Sequence, residues 1–357
     1  MQTSVETNIS LEELQLATRN HGMPLEALRR DLTPVGLHYL LIHYDVPFVD
    51  EHAYRLDVDG EVERPLTLTI HDLRARSAAE VTVTMECAGN GRARFTPRPF
   101  SQPWLFEAVG TAAWRGVPLR ALLDEAGVRD GVREVLFTGL DRGIEKEVEQ
   151  VYQRSLPLDE ALRDELVLAY EMNGAPLLPQ HGAPLRLVVP GWYGMTNVKW
   201  LSQITALSEP FEGYQQSAAY KFRRDEEDDG TPVTRMAPRA LMVPPGIPDF
   251  HTRERTVSPG RCTLEGRAWS GRARIAGVDV STDRGATWEA AQLGAHVNSS
   301  PWAWCSWTYD WDAETGRHEL CCRARDEAGN KQPLDAEWNV GGYSNNSVQR
   351  VIVNVTN

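Results

Sequence analysis

Apolar residues recur at helical spacing from residue 10 to residue 30, which predicts a helix there. Ser10 stands where a cap belongs and Glu13 follows three residues on, the spacing of a capping box. Met23-Pro24 interrupts the pattern, so residues 25–30 are expected to form a second short helix. From Tyr39 to Val83 the pattern changes to short β-rich runs, as in 54–58 and 81–85. Helical segments return at 119–126 and 158–163. The apolar run 185–189 stops at Pro190-Gly191 and reads as a buried strand ended by a turn. This half mixes α and β without the regular alternation of a doubly wound sheet.

Residues 223–260 break the pattern. A charge run covers 223–229 and prolines crowd 236–248, which argues against a central strand or a long helix. This stretch is expected to be an extended connector on the surface of the first domain. Strand-like runs then recur at 263–269, 275–281, 302–309, 318–325 and 347–355, with a turn at Asp283-Arg284-Gly285. Together the patterns predict an α+β chain. A mixed, β-rich domain over 1–235 precedes an immunoglobulin-like β-sandwich over 236–357 that includes the connector.

At 357 residues the chain is long enough for two cores. Its net charge of −13 argues against nucleic acid or an anionic membrane as partner. No stretch approaches the ~20 apolar residues of a membrane helix. The polar, acidic residues 1–10 carry no export signal, so the cytoplasm is expected, or the periplasm if a leader has been trimmed. Five cysteines at irregular spacing suit neither a zinc site nor a disulfide framework, and a reducing compartment follows. The adjacent Cys321 and Cys322 are expected on opposite faces of a strand.

The segment Thr84-Met85-Glu86-Cys87-Ala88-Gly89-Asn90-Gly91-Arg92 carries the most chemistry. A strand delivers Cys87 to a turn in which Gly89, Asn90 and Gly91 can take positive φ and leave backbone N–H groups free. Arg92 and Arg94 add positive charge, which favours thiolate, a good ligand for a soft or high-valent metal. The same residues also describe a small buried cysteine ahead of a turn.

The motif Glu86-Cys87-Ala88-Gly89-Asn90-Gly91-Arg92 resembles the cysteine loop of the sulfite oxidase family. A second, longer stretch agrees: 169–174, then 181–191, then Asn197-Val198-Lys199-Trp200-Leu201. The resemblance implies molybdenum with one molybdopterin, held by Cys87 as the protein ligand to the metal. It implies a phosphate grip by His181, Arg186 and Lys199, helped by backbone N–H groups near Asn197 and Val198. His43, Asp141 and Ser155 fall on further cofactor-contacting segments. Ala268-Trp269-Ser270-Gly271 and the runs 278–281, 285–288 and 338–346 resemble the family's dimerisation domain, so a homodimer is expected. No segment is left over for the haem domain of animal members. Haem is therefore not expected, and electrons would leave to an external acceptor such as a cytochrome.

For the substrate pocket the resemblance implies Arg92, Trp104, Tyr220 and Arg272, with Arg274 an equal alternative to Arg272. One position departs. The family pattern Arg-Asn-His is here Leu41-Ile42-His43. Losing one charge-assisted contact to a dianion costs roughly ten- to a hundredfold in affinity. The expected reaction is molybdenum-dependent oxidation of sulfite, a small oxyanion, to sulfate. Reduction of nitrate or of an S- or N-oxide on the same scaffold is the alternative, and a non-enzymatic binding module is the reading from another class.

Overall fold

A computed structural model describes residues 9–357, and the expectation about export signals falls largely on residues outside these. The capping box is formed. The Ser10 hydroxyl accepts from the Glu13 N–H at 3.2 Å, and the Glu13 carboxylate accepts from the Ser10 N–H at 3.0 Å. The helix covers only Leu11–Arg19. The expected run to residue 30 is corrected: Asn20 turns extended, and His21 pairs with Leu40 as an isolated bridge. The second helix is a 3-10 turn over Leu25–Arg29.

Two sheets build the first half. In one, the strands run in the spatial order Leu66–Leu68, Leu56–Gly60, Leu201–Leu207, Glu134–Glu145, Val148–Pro157. Leu56–Gly60 and Leu201–Leu207 are parallel and the other pairs antiparallel. The helix Leu119–Ala126 buries Leu119, Leu122, Leu123 and Ala126 against this sheet, in one core with Leu56, Phe137, Leu156 and Ile204. The other sheet is antiparallel: Ala79–Glu86, Val109–Pro118, Val167–Met172 and Ala175–Pro176, with Arg186–Val188 also on Val167–Met172.

Two further sheets face each other as a β-sandwich. One holds Arg239–Met242, Gly260–Trp269, Cys305–Ala313 and Gln292–His296. The other holds Ile247–Pro248, Arg255–Val257, Gln349–Val355, Gly316–Asp326, Ile275–Ser281 and Glu289–Ala290. Leu264, Val278, Trp307, Trp311, Leu320 and Val353 fill the space between them. Cys322 belongs to this core, while the equally buried Cys321 lies outside it, near Arg94 and Arg350. All five cysteines are free.

The connector departs from expectation. Arg239–Met242 is not a surface strap but an edge strand of the sandwich, paired with Gly260–Trp269 and buried at all four residues. Pro238, Pro244 and Pro245 bracket it without entering it, which is why its proline-rich surroundings hid a strand. A further core, containing Ala88, Phe106, Tyr193, Tyr220, Leu241, Trp269 and Trp304, is shared by both halves.

Candidate active site

Ala79–Glu86 delivers Cys87, whose N–H is held by the Ala108 carbonyl at 2.9 Å. Asn90 fixes the loop that follows. Its amide donates to Glu86 Oε1 at 3.0 Å and to the Phe106 carbonyl at 3.1 Å, and it accepts from the Ala108 N–H at 3.2 Å. Of the three residues expected to reach positive φ, only Gly91 does, at 91°. Gly89 instead lies against Arg92: a Cβ there would lie 2.6 Å from the guanidinium, which would have to move. Arg92 is buried, donating to the Gly341 carbonyl at 3.0 Å and the Gln102 carbonyl at 3.3 Å, with its guanidinium 5.3 Å from the Tyr343 ring centre. The expected low thiol pKa is corrected for the unliganded chain. Burial pushes the Cys87 thiol up, against the opposing pull of Arg92 and the Trp104 indole.

Cys87 opens on a cavity of about 680 Å³, its open mouth included. One corner is cationic. Arg186, fully enclosed, donates to the carbonyls of His181 and Asn197, each at 3.1 Å, and stacks over Trp114. Lys199 Nζ donates to the carbonyls of Leu41 at 2.9 Å and Gln180 at 3.1 Å. Burial drives His181 down to about 3, aided by His38, and Arg186 down to about 10. It also pushes Lys199 down and the nearby Asp141 carboxyl up, each opposed by the other's charge. Here Arg186 Nε, Asp141 Oδ1 and His38 Nε2 are buried without hydrogen-bond partners among the described residues. Buried polar atoms are normally satisfied, so this set suits a guest that brings acceptors to the cations and donors to the carboxylate. A phosphate at Arg186, Lys199 and His181, a donor-rich pterin at Asp141 and a thiophilic metal at Cys87 meet that description.

Eight of the residues singled out from sequence line this one cavity: Cys87, His43, Asp141, His181, Arg186, Asn197, Lys199 and Tyr220. His43 Nε2 lies 3.0 Å from Glu145 Oε1. Tyr220 is held at φ 50°, a costly conformation for a bulky residue and one found where a side chain must be aimed. Trp104 and Arg92 stand behind the cysteine loop rather than on the cavity wall. Ser155 is buried in its strand with its hydroxyl unpartnered, off the wall.

Other expectations need correction. The backbone N–H groups of Asn197 and Val198 are not free for a phosphate, because they close a turn onto the carbonyls of Gly194 and Thr196. The Asn197 side chain braces that turn, accepting from the Val189 N–H and donating to the Tyr193 carbonyl. Arg272 and Arg274 both lie exposed on the turn after Gly260–Trp269 and line no part of the cavity. Ser270, tied to Asp326, accepts from the Arg272 N–H and sets that turn, while Arg274 reaches the Ser299 carbonyl. Sequence reasoning missed Tyr39, Tyr152 and the deeply buried Arg154. Tyr152 and Arg154 alternate on Val148–Pro157, and that period of two was the available signal.

Residues 43–215 match the oxidoreductase molybdopterin binding domain, and residues 249–356 match the Mo-co oxidoreductase dimerisation domain. Mouse mitochondrial sulfite oxidase is 36% identical over 91% of this chain, which spans 62% of the mouse protein's length. Sulfite oxidase of Gallus gallus is 37% identical over 90% of the chain and 73% of its own, and that of Arabidopsis thaliana is 33% identical over 90% and 88%. The crystal structure of the sulfane dehydrogenase SoxCD from Paracoccus pantotrophus superimposes with a TM-score of 0.81 at 26% identity, covering 100% of this chain and 95% of that one. With both modules matched in order and a cysteine, a cationic corner and a carboxylate gathered on one cavity, the chain belongs to the sulfite oxidase family of molybdopterin-binding oxidoreductases.

Proposed function

We propose that this chain oxidises sulfite to sulfate at the Cys87 cavity, using one molybdopterin and no haem and passing electrons to an external acceptor such as a cytochrome. One observation carries the reading: Cys87, Tyr220 and the cationic corner of Arg186 and Lys199 open on the same cavity. The sulfite oxidase relatives support the choice of substrate. When bound, the molybdenum cofactor supplies oxygen-atom transfer and takes up two electrons.

The chain's own residues do the rest. Cys87 ligates the metal. Arg186, Lys199 and His181 grip the cofactor phosphate, and Asp141 accepts from the pterin. Burial, with Tyr152 and Tyr343 close by, pushes the Tyr220 hydroxyl well above its ordinary pKa, so it stays protonated and donates to a docked anion. Arg92 adds positive charge behind the loop, and Trp104 keeps water from the thiolate. The dimerisation module supports a two-fold homodimer. The five free cysteines suit a reducing cytoplasm.

Reduction of nitrate or of an S- or N-oxide is a second reading, favoured by Leu41 on the cavity wall and by a barley nitrate reductase 32% identical over 91% of this chain, which spans 39% of that protein's length. Turnover of sulfite, nitrate and a sulfoxide with artificial electron carriers separates them. Sulfite oxidation with no reduction of the others supports the first reading, and the reverse pattern overturns it.

A further inference from the structure

Arg154 is an unusual residue for its place. It sits on Val148–Pro157, the strand that also gives Tyr152 to the cavity wall, and period-two alternation puts both side chains on one face. Its side chain is 1% exposed. No acidic side chain forms an ion pair with it among the described residues, and the Glu134 carboxylate adds only a smaller attraction than Tyr152, Tyr220 and Tyr343 do. It donates to the Gln215 carbonyl, and its Nε has no partner. Its guanidinium lies 5.7 Å from the ring centre of Tyr220. A buried, unpaired guanidinium is expensive to keep, and an anion nearby is what offsets it.

Leu41 is the cavity-lining residue where the family pattern has an arginine, and it offers no charge to an anion. Arg272 and Arg274 are exposed and line no part of the cavity. We propose that Arg154 supplies, from behind Tyr220 and Tyr152, the positive charge that holds the substrate oxyanion in this chain. It acts as a positioning residue. It does not line the cavity, so its charge works through the two tyrosines and across a medium that screens poorly. The Gln215 carbonyl fixes the guanidinium.

The proposal rests on the sulfite reading only for the identity of the anion, so its test uses sulfate and inorganic phosphate as well as sulfite. The holoenzyme, with molybdenum content measured, is compared with Arg154→Met, Arg154→Lys and the double variant Arg154→Met/Leu41→Arg. In Arg154→Met, KM for sulfite and the dissociation constant for sulfate should both rise about ten- to a hundredfold at full molybdenum content, with kcat changed far less. The lysine variant should fall between, and Leu41→Arg should recover much of the lost sulfate affinity. Unchanged sulfate and phosphate affinity in Arg154→Met overturns the proposal, whatever substrate the enzyme turns over. If the methionine variant does not retain molybdenum, unchanged sulfate affinity in Arg154→Gln, which removes the charge but keeps a donor for the Gln215 carbonyl, overturns it instead. Sulfate affinity that responds to Arg154 in an enzyme inert to sulfite would uphold the charge and refute the substrate.

Discussion

Arg239 Nη1 and Glu86 Oε1 lie 2.8 Å apart with both side chains almost wholly buried, a contact of charge rather than a straight hydrogen bond. Glu86 directly precedes Cys87, and Arg239 belongs to the edge strand of the sandwich. The same carboxylate accepts from Trp269 Nε1 at 2.9 Å and from the Asn90 amide at 3.0 Å. One buried carboxylate thus ties the cysteine loop to the C-terminal half.

Removing one partner of such a pair leaves the other charge buried and uncompensated. Arg239→Met is expected to destabilise the chain by about 3–5 kcal/mol, and Glu86→Gln by a similar amount, in urea denaturation. A loss below about 1 kcal/mol for both would mean that the pair does not join the halves.

Arg186 is the fork at the cationic corner. Arg186→Gln should lower affinity for the cofactor about ten- to a hundredfold, the worth of one charge-assisted contact. Measuring bound pterin after purification checks this, since a variant loaded like the wild type would place the phosphate elsewhere.

Two buried histidines give the cofactor-free protein a pH dependence. Burial lowers His38 to about 4 and His181 to about 3. Below pH ~6.5 the unfolded chain binds protons that the folded chain refuses. Their contribution is therefore complete above that pH and is lost as pH falls. The stability gap between wild type and His38→Gln should shrink by ~2 kcal/mol from pH 7 to pH 5 in the cofactor-free protein. A gap independent of pH would show that His38 is not held neutral.

Much of this was legible in the sequence. Cys87 and the 181–199 segment announced themselves by residue type and order, and the sandwich strand Ile275–Ser281 lies where alternation put it. What stayed hidden depended on contacts between distant residues. Nothing local marks Arg239 as a buried strand residue, because its partner is Glu86. The exposure of Arg272 depends on Ser270 and Asp326 fixing the preceding turn. Burial, which decides the sign of the Cys87 shift, is a property of the assembled core and outweighed the nearby arginine.

Cys87 as the protein ligand to molybdenum is put to the test by a Cys87→Ser holoenzyme. Molybdenum X-ray absorption of the purified variant should show one fewer sulfur neighbour than the wild type, with sulfite turnover collapsing while pterin remains bound at Arg186 and Lys199. An unchanged sulfur shell with undiminished turnover would exclude Cys87 as the ligand.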